Sequence, residues 1–169
     1  MQLYEAKEIF IQSWGGLGST WGINRTMAQI HALFLISEEL LSAEDVMDTL
    51  KISRGNANMN IRTLIDWGLV YKEHKPGERK EFFKGEKDVW KVTQRVIRAR
   101  QRQELDPMLH VLTELQNVET DAKNKKEVEA FKKQIKSIKS HAELADSTLT
   151  KITVSEENWF LKTFMKIMK

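Results

Sequence analysis

The stretch SRGNANMNIRTLIDWGLV, residues 53–70, divides into a polar front and an apolar back. Ser53 is a residue type that caps helix N-termini, and Gly68 suits a left-handed C-terminal stop. The apolar residues that share one side at helical spacing are Ala57, Ile61, Leu64 and Ile65. We therefore predict a helix that docks one face on a scaffold and leaves hydrogen-bonding groups on the other face.

The residues around this stretch predict the elements that accompany such a helix. Asn24 is a candidate cap for a helix before it, and Ser42 opens a Ser-x-x-Asp capping box for a short helix that ends near Leu50. After Gly68 the pattern changes to two short strands, at residues 69–74 and 81–84, joined by the turn KPGERK. Three helices with a tight turn before the third, followed by a β-hairpin, form a winged helix-turn-helix.

The flanking regions are predicted to be helical. Residues 2–18 have apolar residues at spacings of three and four, and this helix is expected to end in the glycine-rich turn GGLGSTWG. These glycines are not expected to form a phosphate loop, because no strand precedes them. The predicted division is 1–22 for the N-terminal helix and turn, 23–87 for the winged helix-turn-helix domain, and 88–169 for a helical dimerisation or effector region. The fold class is mainly α with a small β-hairpin and long C-terminal helices for dimerisation.

A heptad pattern in the C-terminal region indicates a dimerisation helix. The apolar residues of 128–152 alternate spacings of three and four, with lysines outside the seam. The candidate dimerisation residues are Val128, Phe131, Ile135, Ile138, Leu149 and Ile152. An intrachain pairing with helices at 2–18, 107–117 or 156–168 is the alternative. Two further helix starts are predicted, one with Asp106 as N-cap before Pro107 and one at Ser155.

Composition and charge narrow the classes of function. The chain has 169 residues, 41% of them hydrophobic and 30% charged, and contains no cysteine, so disulfides, thiol chemistry and cysteine-based zinc sites are excluded. It has no apolar run long enough for a membrane span and no signal-peptide pattern, which fits a cytoplasmic protein. Residues 1–50 carry a net charge of −5 and residues 53–102 a net charge of +7. This asymmetry indicates a positive face for an anionic partner, with a merely solvated surface as the alternative.

The polar face of the central helix suits double-stranded DNA. The candidate recognition-helix contacts are Ser53, Arg54, Gly55, Asn56, Asn58, Met59 and Arg62. Arginine binds guanine O6 and N7 in bidentate fashion, and asparagine binds adenine N6 and N7 in the same way. The candidate wing contacts with the DNA backbone or minor groove are Lys75, Arg79 and Lys80. The alternative is a winged-helix domain that only docks proteins, and a structural coiled-coil adaptor is a third reading.

Catalysis is not expected. The four histidines form no HExxH motif or close pair, and neither a GxSxG elbow nor a Walker loop is present. We therefore predict a protein that is not an enzyme and that needs neither a metal nor a cofactor.

Three segments resemble the GbsR/MarR-like transcriptional regulators. They are GINRTMAQIHALFLI at 22–36, LSAEDVMDTLKISRGNANMNIRTLIDWGLV at 41–70 and GERKEFF at 77–83. The resemblance covers about residues 15–90 and implies a dimeric winged-helix regulator, a repressor by our prediction, that reads a palindromic operator. The resemblance also suggests a small-molecule effector of unknown identity, because some regulators of this type respond to choline. A choline cage needs clustered aromatic rings, but the five tryptophans here are predicted to be core residues.

Overall fold

The computed structural model describes residues 1–119 and 124–155, and it divides the chain into two units, Met1–Val92 and Thr93–Lys169. The first unit contains α1 (Leu3–Thr20), α2 (Arg25–Ile36), β1 (Leu41–Ser42), α3 (Ala43–Leu50), α4 (Arg54–Asp66), β2 (Val70–Glu73) and β3 (Phe82–Gly85). The helix α5 (Val89–Arg100) contains the boundary, and the second unit continues with a π-helical turn (Gln101–Leu105), α6 (Asp106–Glu114), a 3₁₀ turn (Leu115–Asn117) and α7 (Lys125–Val154). The predicted mainly α fold with a winged helix is confirmed.

Side-chain caps begin the helices of the first unit where the sequence predicts them. The Asn24 side chain accepts a hydrogen bond from the Met27 amide at 3.1 Å, as an N-cap does. Ser42 and Asp45 form a reciprocal capping box at the start of α3. Each capping side chain bonds a backbone amide only three residues away. Such short-range contacts can therefore be predicted from the sequence.

The glycine-rich segment after Trp14 is helical, so the turn predicted there is wrong. α1 continues to Thr20, and Gly15 and Gly18 lie buried where α1 packs on α2. A β-carbon at Gly18 would lie 2.5 Å from the β-carbon of Ala28, and one at Gly15 would lie 2.6 Å from the Gln29 side chain. The cost of glycine in a helix is therefore offset by a close approach that larger residues do not permit.

A small antiparallel sheet with strand order β1-β3-β2 forms the wing. The hairpin of β2 and β3 was predicted, whereas β1 was not, because two residues leave no periodic signal. Phe83 pairs with Leu41 on one side and Lys72 on the other, and its ring packs edge-on against Phe34 of α2 at 6.3 Å. The wing is thereby fixed to the core of the first unit.

The end of β3 lies directly against the C-terminal end of α2. A β-carbon at Gly85 would lie 2.8 Å from the Phe34 carbonyl oxygen, so this position excludes a larger residue. The Lys87 ammonium donates to the carbonyls of Phe34, Leu35 and Ser37, which the helix leaves without backbone partners. A basic side chain therefore caps α2 from a residue about fifty positions away in sequence.

As predicted, α6 begins at Asp106 with Pro107 in its first turn, but Asp106 is not an N-cap, because the helical path continues through it from the preceding π-helical turn. Asp106 has helical φ and ψ of −58° and −47°, and its amide donates to the Gln101 carbonyl in π-helical fashion. Proline lacks an N–H and crowds the preceding helical turn. A wider π turn before Pro107 accommodates this ring without ending the helix. The last predicted helix, from Ser155 through Ile167, lies almost wholly outside the described residues.

Candidate nucleic-acid interface

The helix α4 docks on the first unit through one buried face. Ala57, Ile61 and Leu64 are at most 2% exposed, and α4 packs against α2 and α3. Ile65, predicted to share this face, is only half-buried. The tight turn that precedes α4 depends on Lys51, which adopts a left-handed φ of 54°.

The opposite face of α4 holds the predicted base contacts. The Arg54 side chain is 71% exposed and Met59 is 60% exposed, while Arg62 also lies in solvent. Open space surrounds Gly55, and Asn58 is half-buried. Ser53 caps the helix by accepting a hydrogen bond from the Asn56 amide at 3.3 Å. This geometry presents the guanidinium groups of Arg54 and Arg62 to solvent from the exposed side of α4.

Asn60 is a residue that the sequence reading missed. It is 3% exposed and donates its side-chain amide to the Asn56 backbone carbonyl at 2.8 Å and to the Asn56 side-chain oxygen at 2.7 Å. The four-residue spacing of the two asparagines is the signal that indicates this contact. Asn56 is therefore held in place by its own helix rather than free in solvent.

The wing brings its three predicted cations to different environments. The Lys75 ammonium lies 4.3 Å from the centre of the Phe82 ring, a cation–π contact that holds it at the base of the wing. Arg79 is exposed, two residues after Gly77, whose φ of +85° forms the tight turn. The Lys80 side chain is 58% exposed. Of the three predicted cations, Arg79 and Lys80 are therefore the more accessible.

The Glu44 carboxylate links α4 to the wing. Glu44, in the first turn of α3, lies 3.6 Å from the Arg54 guanidinium through one oxygen and forms an ion pair with the Lys80 ammonium through the other. The hydrogen bond from Lys80, together with its charge, holds the pKa of Glu44 below its usual value, and the same contact raises the pKa of Lys80. The sequence shows Glu44 only as a favourable acid at a helix start.

The predicted dimerisation residues of α7 fall into two rows. Val128 and Ile135 are buried at 7% and 8% exposure within the second unit, where α7 packs on α6. Phe131 and Ile138 are exposed at 39% and 41%. Leu149 and Ile152 are half-buried. The heptad therefore serves intrachain packing with one row and leaves the other row on the surface.

His31 lies in the core of the first unit, away from the recognition face. It is 5% exposed and packs beside Trp14 of α1 at 6.2 Å between ring centres. Burial lowers its pKa to about 4, so the imidazole is neutral at pH 7. Among the described residues, the Nε2 atom of His31 has no hydrogen-bond partner. Residues 1–119 and 124–155 contain no group of three or more side chains that could bind a metal ion.

Comparison with known proteins agrees with this geometry. Residues 21–81 match the model of the MarR family. A crystal structure of a transcriptional regulator is 18% identical, with a TM-score of 0.56 over 86% of this chain and 99% of that chain, which is a likeness of fold. No curated protein matches the sequence. No helix in the described part of the chain is long and apolar enough to cross a membrane. Residues 21–81 therefore resemble the MarR family, and the chain as a whole resembles that transcriptional regulator in fold.

Proposed function

We propose that the protein is a cytoplasmic repressor of the GbsR/MarR-like type that binds a palindromic operator as a homodimer. The observation that carries the proposal is the division of α4, whose inner face is buried while Arg54 and Arg62 project beside a basic wing. Such a helix fits a major groove, and a wing with exposed Arg79 and Lys80 suits the adjacent backbone. The GbsR-like signature in residues 41–70 supports the subtype.

We propose a dimer because a single winged helix contacts only a few base pairs. Two copies that read half-sites about one helical turn apart, roughly 34–36 Å, multiply affinity and discrimination. The exposed row of α7, Phe131 and Ile138, offers an apolar contact for a second copy. Repression then follows if the operator overlaps a promoter.

Selection from a random duplex library, followed by fluorescence anisotropy on the full chain, tests DNA binding. We expect an enriched palindromic duplex whose affinity falls steeply between about 50 and 200 mM salt, because phosphate contacts release counterions. A failure to enrich any sequence, with retention of a protein partner, would favour the docking module instead. Affinity that stays flat as salt rises would remove the phosphate contacts from the proposal.

Two variants separate base readout from phosphate contact. Arg54→Ala is expected to cost about 1–3 kcal/mol on the enriched duplex and less on scrambled DNA, because it removes a base contact. Lys80→Ala is expected to weaken both duplexes alike and to reduce the salt slope by about one. Lys72→Ala is the matched control, since its side chain is equally exposed at 58% but lies outside the predicted contacts. Equal losses on both duplexes for Arg54→Ala would contradict the proposed division.

A further inference from the structure

We propose that Glu44 sets the sequence discrimination of this protein by holding Arg54 in the orientation that a guanine edge requires. This inference rests on the proposed DNA binding and assigns Glu44 as a positioning residue that acts through Arg54 and Lys80. Glu44 lies in α3, Arg54 in α4 and Lys80 in the wing, and the two cations meet at the Glu44 carboxylate.

The scaffold fixes the carboxylate before DNA arrives. Glu44 lies next to the capping box in which the Asp45 carboxylate accepts from the Ser42 amide and hydroxyl, both at 2.7 Å. The capping box holds the start of α3, and the Glu44 side chain, 47% exposed, lines an open groove between α3, the first turns of α4 and the wing. That groove is lined by Ser42, Ala43, Glu44, Met47, Arg54, Asn58, Lys80, Glu81 and Phe83.

The position of the negative charge matters for non-specific binding. Non-specific affinity comes almost entirely from cations that neutralise phosphates. Glu44 already compensates two cations of the proposed interface, and its lowered pKa keeps it ionised in neutral and mildly acidic solution. Any DNA must therefore compete with the carboxylate for these cations, which lowers the non-specific affinity.

The same arrangement favours the correct sequence. A guanine edge binds the Arg54 guanidinium through two parallel hydrogen bonds, whereas Glu44 approaches it at only 3.6 Å. In the proposal Glu44 contacts Arg54 Nη2 and limits the orientation of the guanidinium, so that it meets a guanine edge with less loss of conformational entropy. Because a phosphate contact does not need this orientation, Glu44 raises the difference between the affinities for correct and wrong DNA rather than the affinity itself.

The test compares the dissociation constants of the full chain for its enriched duplex and for a scrambled duplex, at several salt concentrations. Glu44→Gln removes the charge while keeping the size of the side chain. We expect this variant to bind scrambled DNA about threefold to fivefold more tightly, to lower the ratio of the two dissociation constants by a similar factor, and to steepen the salt slope by about one. Thermal melting monitored by circular dichroism verifies that the variant is folded.

Glu81→Gln is the matched control. Glu81 lines the same groove, but it pairs with Lys72 at 2.8 Å, and its side chain is 65% exposed. This control removes the same charge from the same neighbourhood without releasing Arg54, so it is expected to leave the specificity ratio unchanged. Equal ratios in Glu44→Gln and Glu81→Gln would overturn the proposal, because net charge alone would then explain the effect.

Glu44→Asp tests position separately from charge. The shorter side chain keeps the charge but withdraws it from Arg54, so we expect a ratio below that of the wild type. If Glu44→Asp kept the wild-type ratio of dissociation constants, the positioning role of Glu44 would be rejected. If the wild-type protein enriches no duplex, the proposed function itself fails, and this result is distinguishable because it appears before any variant is compared.

Discussion

The recognition helix α4 and the long helix α7 differ in what they leave on the surface. α4 is 13 residues long, and its buried apolar face is complete within the first unit, so its accessible face is mainly polar and basic. α7 is 30 residues long, and its heptad seam is only half covered by the second unit. A polar exposed face suits an anionic partner in water, whereas an apolar exposed row suits another apolar surface.

The largest effect expected from this comparison is on stability. Leu64 of α4 is 1% exposed and Leu144 of α7 is 66% exposed. Leu64→Ala removes packed atoms from the core and is expected to lower the free energy of unfolding by about 2–5 kcal/mol. Leu144→Ala is expected to change it by less than about 0.5 kcal/mol. Urea denaturation measures the free energy of unfolding of both variants. Similar losses for the two variants would mean that Leu144 is buried in solution, for example against a second copy of the chain.

The core of the first unit should also respond to acid. Because burial lowers the pKa of His31 to about 4, the unfolded chain binds a proton more readily than the folded one below the ordinary value of 6.5. The contribution of neutral His31 is therefore complete above about pH 6.5 and is lost as the pH falls through 4. The expected loss is roughly 3 kcal/mol, from the two and a half pKa units involved.

Denaturation at several pH values measures this loss. His31→Leu should flatten the profile between pH 6.5 and 4, and His74→Gln, on the exposed wing, should leave it as in the wild type. A profile unaffected by His31→Leu would show that other groups govern the acid response.

The smallest expected effect tests the exposed row of α7. Phe131→Ala and Ile138→Ala are each expected to raise the dimer dissociation constant about tenfold, because apolar anchors dominate interfaces. Ser140→Ala is the control, since Ser140 lies on the opposite side of α7 and is exposed. Sedimentation at several protein concentrations measures the change. Unaltered dimerisation in all three variants would place the dimer contact elsewhere in the chain.

Much of the first unit could be predicted from sequence because its signals are local. Asn24, Ser42 and Ser53 each cap a helix through an amide three residues away, and the divided face of α4 follows from helical spacing. The change of period after Gly68 predicted the hairpin. Such features depend on hydrogen bonds and spacings within a few residues, so the order of residues alone determines them.

Only the tertiary structure decided the remaining features. Gly15 and Gly18 resemble a turn in sequence, but both lie within α1, and at Gly18 the β-carbon of Ala28 in α2 approaches too closely for a larger residue. Glu44 resembles a simple helix-start acid, and it becomes the link between Arg54 and Lys80 because folding brings together residues 10 and 36 positions away in sequence. The sequence by itself determined the starts of α2, α3 and α4, their side-chain caps and the β2–β3 hairpin of the wing. The contacts that couple them depend on where distant residues meet, which a local pattern does not record.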